Sequence, residues 1–199
     1  MNTKSITCAA LTIAMSAVSA HAGTLWDELL SGDASGNPLA PSNAGVVMVG
    51  ANIFQGSVLG GTDQRDYITF QVPAGLSVTG LLLQNLSPDN IVWTHFDDGP
   101  TSVQPDISPA SLLAGAHIPA AAPNGTNLFG NYQAGSPNLL AGPGLSGALG
   151  PGTYTFLMQQ TSGILTDYSL NFVVVPAPSA APAVALLFLA MPRRRSARR

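Results

Sequence analysis

Asp66-Tyr67-Ile68-Thr69-Phe70-Gln71-Val72-Pro73-Ala74-Gly75 is the stretch that decides the fold. Apolar and polar residues alternate with a period of two, so Ile68, Phe70 and Val72 share one face and Thr69 and Gln71 the other. Pro73 cannot continue a ladder of hydrogen bonds, and Gly75 turns the chain. The segment reads as a strand with one face in a core.

Further strands follow on either side. Val46 to Val49 and Ile53 to Leu59 are short apolar runs interrupted by glycines. Leu76 to Leu86 is a long strand in which Leu76 and Val78 share one parity, Leu81 and Leu83 the other. Gly80 lies between them and predicts a bulge. Ile91 to Phe96 is closed by Asp97-Asp98-Gly99-Pro100. Thr153 to Gln160 and Asp167 to Val174 alternate cleanly, and Thr161-Ser162-Gly163 between them predicts a hairpin. Thr24 to Leu30 fits a helical turn or an edge strand equally well.

From Gly99 to Gly152 the composition changes: 18 of the 54 residues are glycine or proline, above the roughly 25–30% typical of low-complexity chain. This stretch is expected as a long loop, with one helical turn capped by Ser108 and begun by Pro109. The resulting expectation is an all-β protein, an antiparallel jelly-roll-like β-sandwich with a long Gly/Pro-rich loop. It would be flanked by an N-terminal signal helix and a C-terminal hydrophobic helix.

The ends read differently from the body. Residues 1–22 have a charged start at Lys4, an apolar stretch, and Ala20-His21-Ala22, which fits small-residue cleavage of a secretory signal. The single cysteine, Cys8, would leave with it. Residues 23–175 are one domain's length. They hold Arg65 as their one base against ten acids, a net charge of −9. Such a surface repels phosphate backbones, so no nucleic-acid partner is expected.

Residues 176–199 combine Pro176-Ala177-Pro178, an uncharged run from Ala180 to Met191, and a cluster containing Arg193, Arg194 and Arg195. Twelve residues rise about 18 Å as a helix, short of the roughly 30 Å core of a bilayer. The order of proline signal, apolar run and arginine cluster resembles the PEP-CTERM sorting tails of Gram-negative bacteria. Pro176 and Pro178 match the two prolines of that signal, and Ala177 stands where the usual glutamate would be. The resemblance implies export by the Sec machinery and transient anchoring in the inner membrane. It further implies processing by an exosortase-type membrane protease, and delivery to the cell surface or an extracellular polysaccharide matrix.

A second resemblance lies in the body. Asp66 to Gly75, Pro151 to Phe156 and Thr166 to Leu170 resemble strands of bacterial pre-peptidase C-terminal domains, which are jelly-roll-like sandwiches attached to secreted proteins.

Chemistry is sparse in the sequence. No zinc spacing, phosphate loop or haem signal occurs, and no cofactor is expected. Asp33, Ser35 and Asn37 alternate in a turn-rich loop and are candidates for calcium, although such residues also serve simply as turn formers. His95, near Asp97 and Asp98, is the candidate base of a hydrolase. Trp26, Trp93, Tyr132 and Tyr154 are candidates for stacking on sugars, with Trp93 and Tyr154 read as core. The preferred expectation is a non-enzymatic exported protein with a structural or adhesive role. The alternatives are a carbohydrate- or calcium-binding module and a secreted hydrolase.

Overall fold

The computed structural model describes residues 23–178 apart from Asp89 and Asp106. The signal segment with Ala20 and Ala22, the apolar run and Arg193 to Arg195 lie outside the described residues. Ten strands and one short helix follow in order: β1 Gly23–Asp27, α1 Glu28–Ser31, β2 Ser42–Val46, β3 Gly50–Val58, β4 Arg65–Val72, β5 Leu76–Ser87, β6 Val92–Asp98, β7 Ala114–Ile118, β8 Leu139–Ala141, β9 Gly152–Gln159 and β10 Thr166–Pro176. They form a four-stranded sheet, β1-β3-β10-β5, and a six-stranded sheet, β2-β4-β9-β6-β7-β8. The all-β expectation holds. Two edge pairs, β1–β3 and β2–β4, run parallel rather than antiparallel. Each joins strands separated in sequence by a passage through the other sheet, the crossover that parallel pairing requires.

The two sheets meet over aromatic rings. Phe172 of β10 packs its ring centroid 4.6 Å from Phe54 of β3, 5.2 Å from Phe70 of β4 and 5.3 Å from Phe156 of β9. One side chain of the smaller sheet thus touches two strands of the larger. Ile68, Phe70 and Val72 are buried and Gln71 is exposed, as the alternation of β4 requires. Thr69 is also covered, and its hydroxyl meets that of Thr155 at 3.1 Å.

The bulge expected at Gly80 is present. Val173 pairs with Gly80 but Val174 with Val78, so Thr79 is the extra residue. That shift places Val78, Leu81 and Leu83 all in the core despite their different parity.

Two expectations fail. Thr153 to Gln160 and Asp167 to Val174 do not form a hairpin: β9 lies between β4 and β6, and β10 between β3 and β5. Both inner faces are rich in aromatic residues, and opposing them across the core buries more apolar surface than pairing them edge to edge. The stretch from Gly99 to Gly152 is no open loop. It supplies β7, β8 and two 3-10 turns, Pro109–Ser111 and Leu128–Tyr132. Leu112, Ile118, Leu128, Phe129, Tyr132, Leu145 and Leu149 from it are buried. Pro109 does begin its turn, but the Ser108 hydroxyl makes no capping bond. Asn127 anchors the second turn, its Oδ1 accepting from Phe129 N at 3.0 Å and from Leu81 N of β5 at 3.2 Å.

Candidate functional site

Three polar clusters stand out. The first is built around His95. On β6 the even positions Val92, Thr94 and Phe96 are fully buried, and Phe96 packs beside Phe156 of the neighbouring β9 and against Phe172 across the core. Trp93, His95 and Asp97 therefore share the opposite face of the larger sheet. His95 is covered there by the chain around Ser102. The Trp93 indole N–H can only donate, so His95 Nδ1, 3.2 Å away, accepts. The imidazole proton is then on Nε2, which donates to Ser102 Oγ at 2.8 Å. The Ser102 hydroxyl donates to Asp97 Oδ2 at 2.5 Å, and Val103 N donates to the same oxygen at 3.2 Å. Burial pushes the His95 pKa down to about 3, which keeps the ring neutral. The structure thus brings His95 and Asp97 together through Ser102. A catalytic histidine takes the serine proton on an unprotonated nitrogen, whereas His95 offers Ser102 an N–H. Tyr132 is likewise engaged: its hydroxyl is 2.5 Å from Thr94 Oγ1, which donates to Ala116 O.

The second cluster joins α1, the following loop and β4. One carboxylate oxygen from each of Glu28, Asp33 and Asp66 lies within 4.8 Å of the others. Glu28 is held in place by backbone donors, Ser57 N at 2.8 Å and Ala34 N at 3.4 Å. Its carboxylate fills the space beside Gly56, where a Cβ would stand 2.3 Å from Glu28 Cδ. Asp66 is fully buried. Tyr168 donates to its Oδ2 at 2.9 Å, whereas Oδ1 receives no donor. Burial, followed by the charge of Glu28, pushes the Asp66 pKa up to about 10. Burial also raises the Glu28 and Asp63 carboxyls. Without a cation, Asp66 stays a neutral acid with Glu28 as its neighbour. A calcium ion bonds oxygen at about 2.3–2.6 Å, so two ligands on one ion stand up to roughly 5 Å apart, which matches this spacing. Of the calcium candidates, Asp33 belongs here. Ser35 and Asn37 do not. Ser35 Oγ accepts from Asn37 N and Asn37 Oδ1 from Leu39 N, the short local bonds of a turn.

The third is a cleft of about 480 Å³ on the outer face of the larger sheet, next to the His95 cluster. Trp93, expected as core, is half-buried and lines it. Of the other aromatic candidates, Tyr132 is buried. Tyr154 packs its ring 6.0 Å from Phe70 and donates to Gly150 O at 3.1 Å. Trp26 packs partly against the core. Pro176 ends β10, Ala177 N donates to Gly75 O at 2.7 Å, and Pro176 and Pro178 are exposed.

The fold defines the class as a two-sheet β-sandwich protein. No protein-family model and no curated protein matches this chain. Among solved structures, it is similar to the pre-peptidase C-terminal domain of a collagenase from Bacillus anthracis. That similarity has 14% sequence identity and a TM-score of 0.33, over 67% of this chain and 93% of that one.

Proposed function

We propose that this is an exported, non-enzymatic β-sandwich protein sorted to the cell surface or its polysaccharide matrix, with a structural or adhesive role. The observation that supports the sorting reading is where the proline signal falls. The last strand ends at Pro176, and Pro176 and Pro178 are exposed. A protease acting at the membrane would thus meet the signal at the end of the last strand, where the pairing of Pro176 with Leu76 and the Ala177 N–Gly75 O bond are the last contacts with the sheet. The partners of this reading are the Sec machinery, an exosortase-type protease and an extracellular polysaccharide. Intact-mass analysis of the protein recovered from outside the cell tests it. Loss of the residues after the proline signal is expected, and a product still carrying Arg199 would overturn processing.

One observation favours a second property alongside the first. Asp66 Oδ1, buried and without a donor beside Glu28 and Asp33, suits a divalent cation with oxygen ligands. The reading is a calcium-stabilised domain in which the ion replaces a proton held by Asp66. Calcium titration into chelator-treated protein at pH 8 should give a saturable heat that Asp66→Asn abolishes. Equal heat in that variant would dismiss the site.

A further inference from the structure

The strand registers set three side chains side by side above the larger sheet. Trp93 of β6 lies opposite Gln159 of β9 on one side and His117 of β7 on the other. Directly opposed residues on adjacent strands stand about 4.5–5.5 Å apart, so Gln159, Trp93 and His117 make one continuous row. All three line the 480 Å³ cleft, whose walls include Asn90, Ile91 and Pro105. That volume falls within the roughly 300–1,000 Å³ of small-ligand sites.

The indole is fixed from two directions. Its N–H is held by His95, and its six-membered ring occupies the space above Gly115, where a Cβ would lie 2.5 Å from the ring. With the N–H engaged inward, Trp93 presents carbon to the cleft. Gln159 is 6% exposed, and its amide makes no hydrogen bond among the described residues, while the neighbouring Gln160 amide is tied to Ser162 N. The amide is reached by solvent through the cleft, so a ligand that displaces that water has to supply hydrogen bonds of its own. On the other flank, His117 Nδ1 lies 3.3 Å from Val92 O. A carbonyl can only accept, so Nδ1 carries a proton, and Nε2 makes no hydrogen bond among the described residues. The row therefore reads amide, flat aromatic carbon, imidazole nitrogen, with no Asp, Glu, Lys or Arg among the described residues lining the cleft.

We propose that this row is a binding site for a neutral saccharide. A pyranose ring laid on the indole would bury its axial C–H face, and its equatorial hydroxyls would reach Gln159 on one side and His117 on the other. Pure hydrocarbon would leave the Gln159 amide unanswered. An anionic sugar would be repelled by a body of net charge −9. The site does not depend on whether the tail is processed, so this proposal and the sorting reading fail separately.

The test uses the purified full chain, titrated with cellohexaose, laminarihexaose, maltohexaose and chitohexaose, and with an alginate oligomer as the anionic arm. Tryptophan fluorescence and calorimetry provide the readout. At least one neutral oligomer is expected to bind. Affinity should fall at least tenfold in His117→Ala, whose side chain is exposed and whose loss should leave the melting temperature unchanged. Gln159→Leu, checked for folding by circular dichroism, should weaken binding to a similar extent. Four outcomes would overturn the proposal: no response to any neutral oligomer, preference for alginate, or undiminished affinity in either variant.

Discussion

The His95 cluster and the Asp66 cluster are both buried, polar and built around a perturbed titratable group, but they differ in how completely they are satisfied. From Trp93 through His95 and Ser102 to Asp97, each proton has one donor and one acceptor, and the direction of each bond fixes the next. Such a chain is closed, and a closed chain has no group left for a substrate. Around Asp66, three carboxylates converge, and its Oδ1 accepts from no donor and bonds to Glu28 only through a proton of its own. An open cluster of this kind implies something to be added, either a proton or a cation. Burial and a suggestive pair of residue types are common to both regions, so neither feature separates structure from function. The unfilled bond does.

The largest expected effect lies in the open region. Calcium at 100 to 1,000 times its dissociation constant should stabilise the fold by about 2.7–4.1 kcal/mol. For a domain of this size that raises the melting temperature by roughly 5–16 °C. Calorimetry with and without chelator reads this directly, and an unchanged melting temperature would close the open cluster by another route.

The pH dependence should then set the two regions against each other. Asp66 has an unfolded pKa near 4 and a folded pKa of about 10. The folded state therefore keeps a proton that the unfolded state releases, and stability falls as pH rises through that window. His95 acts in the opposite sense: with a folded pKa of about 3, it costs stability as pH falls below about 6.5. In chelator, stability should decline above pH 6.5, by up to about 1.4 kcal/mol per pH unit for one proton, and the melting temperature with it. Calcium or Asp66→Asn should flatten that decline. A melting temperature that rises from pH 6.5 to 8 in chelator would contradict the proton on Asp66. Within the closed chain, Ser102→Ala should cost about 1–3 kcal/mol, because it removes the link between a buried N–H and a buried carboxylate. Urea unfolding at pH 7 measures that loss, and a neutral result would mean the chain is not held by its middle member.

Individual strands were legible where the pattern carried its own cause. The alternation from Ile68 to Val72 and the parity change at Gly80 are local facts with local consequences. Partner choice was not legible. Thr153–Gln160 and Asp167–Val174 have all the features of a hairpin, and only the packing of Phe172 against Phe70 and Phe156 puts them in different sheets. β7 was invisible for a different reason. Ala114-Gly115-Ala116 has too little apolar bulk to register as a strand, yet Gly115 has to be small because Trp93 lies over it. Asp33 was found for its turn chemistry. Its partners Glu28 and Asp66 come from other elements, and no spacing in the sequence connects them.

The smallest expected effect is the most discriminating. Trp93→Phe keeps an aromatic ring above Gly115 and deletes one N–H. The lost bond to His95 Nδ1 should cost about 0.5–1.5 kcal/mol, well below the Ser102→Ala loss. Nitrogen NMR of the imidazole adds what stability alone does not. In the parent protein His95 should carry its proton on Nε2. The variant should retain that tautomer, because Asp97 still takes the Ser102 proton and Ser102 still requires a donor. The tautomer is then fixed from the carboxylate end, and the indole only adds to it. A proton found on Nδ1 would mean that the indole had been the sole restraint. Ser102 would then face a free ring nitrogen, and the cluster regarded here as closed would be one substitution away from a serine–histidine pair.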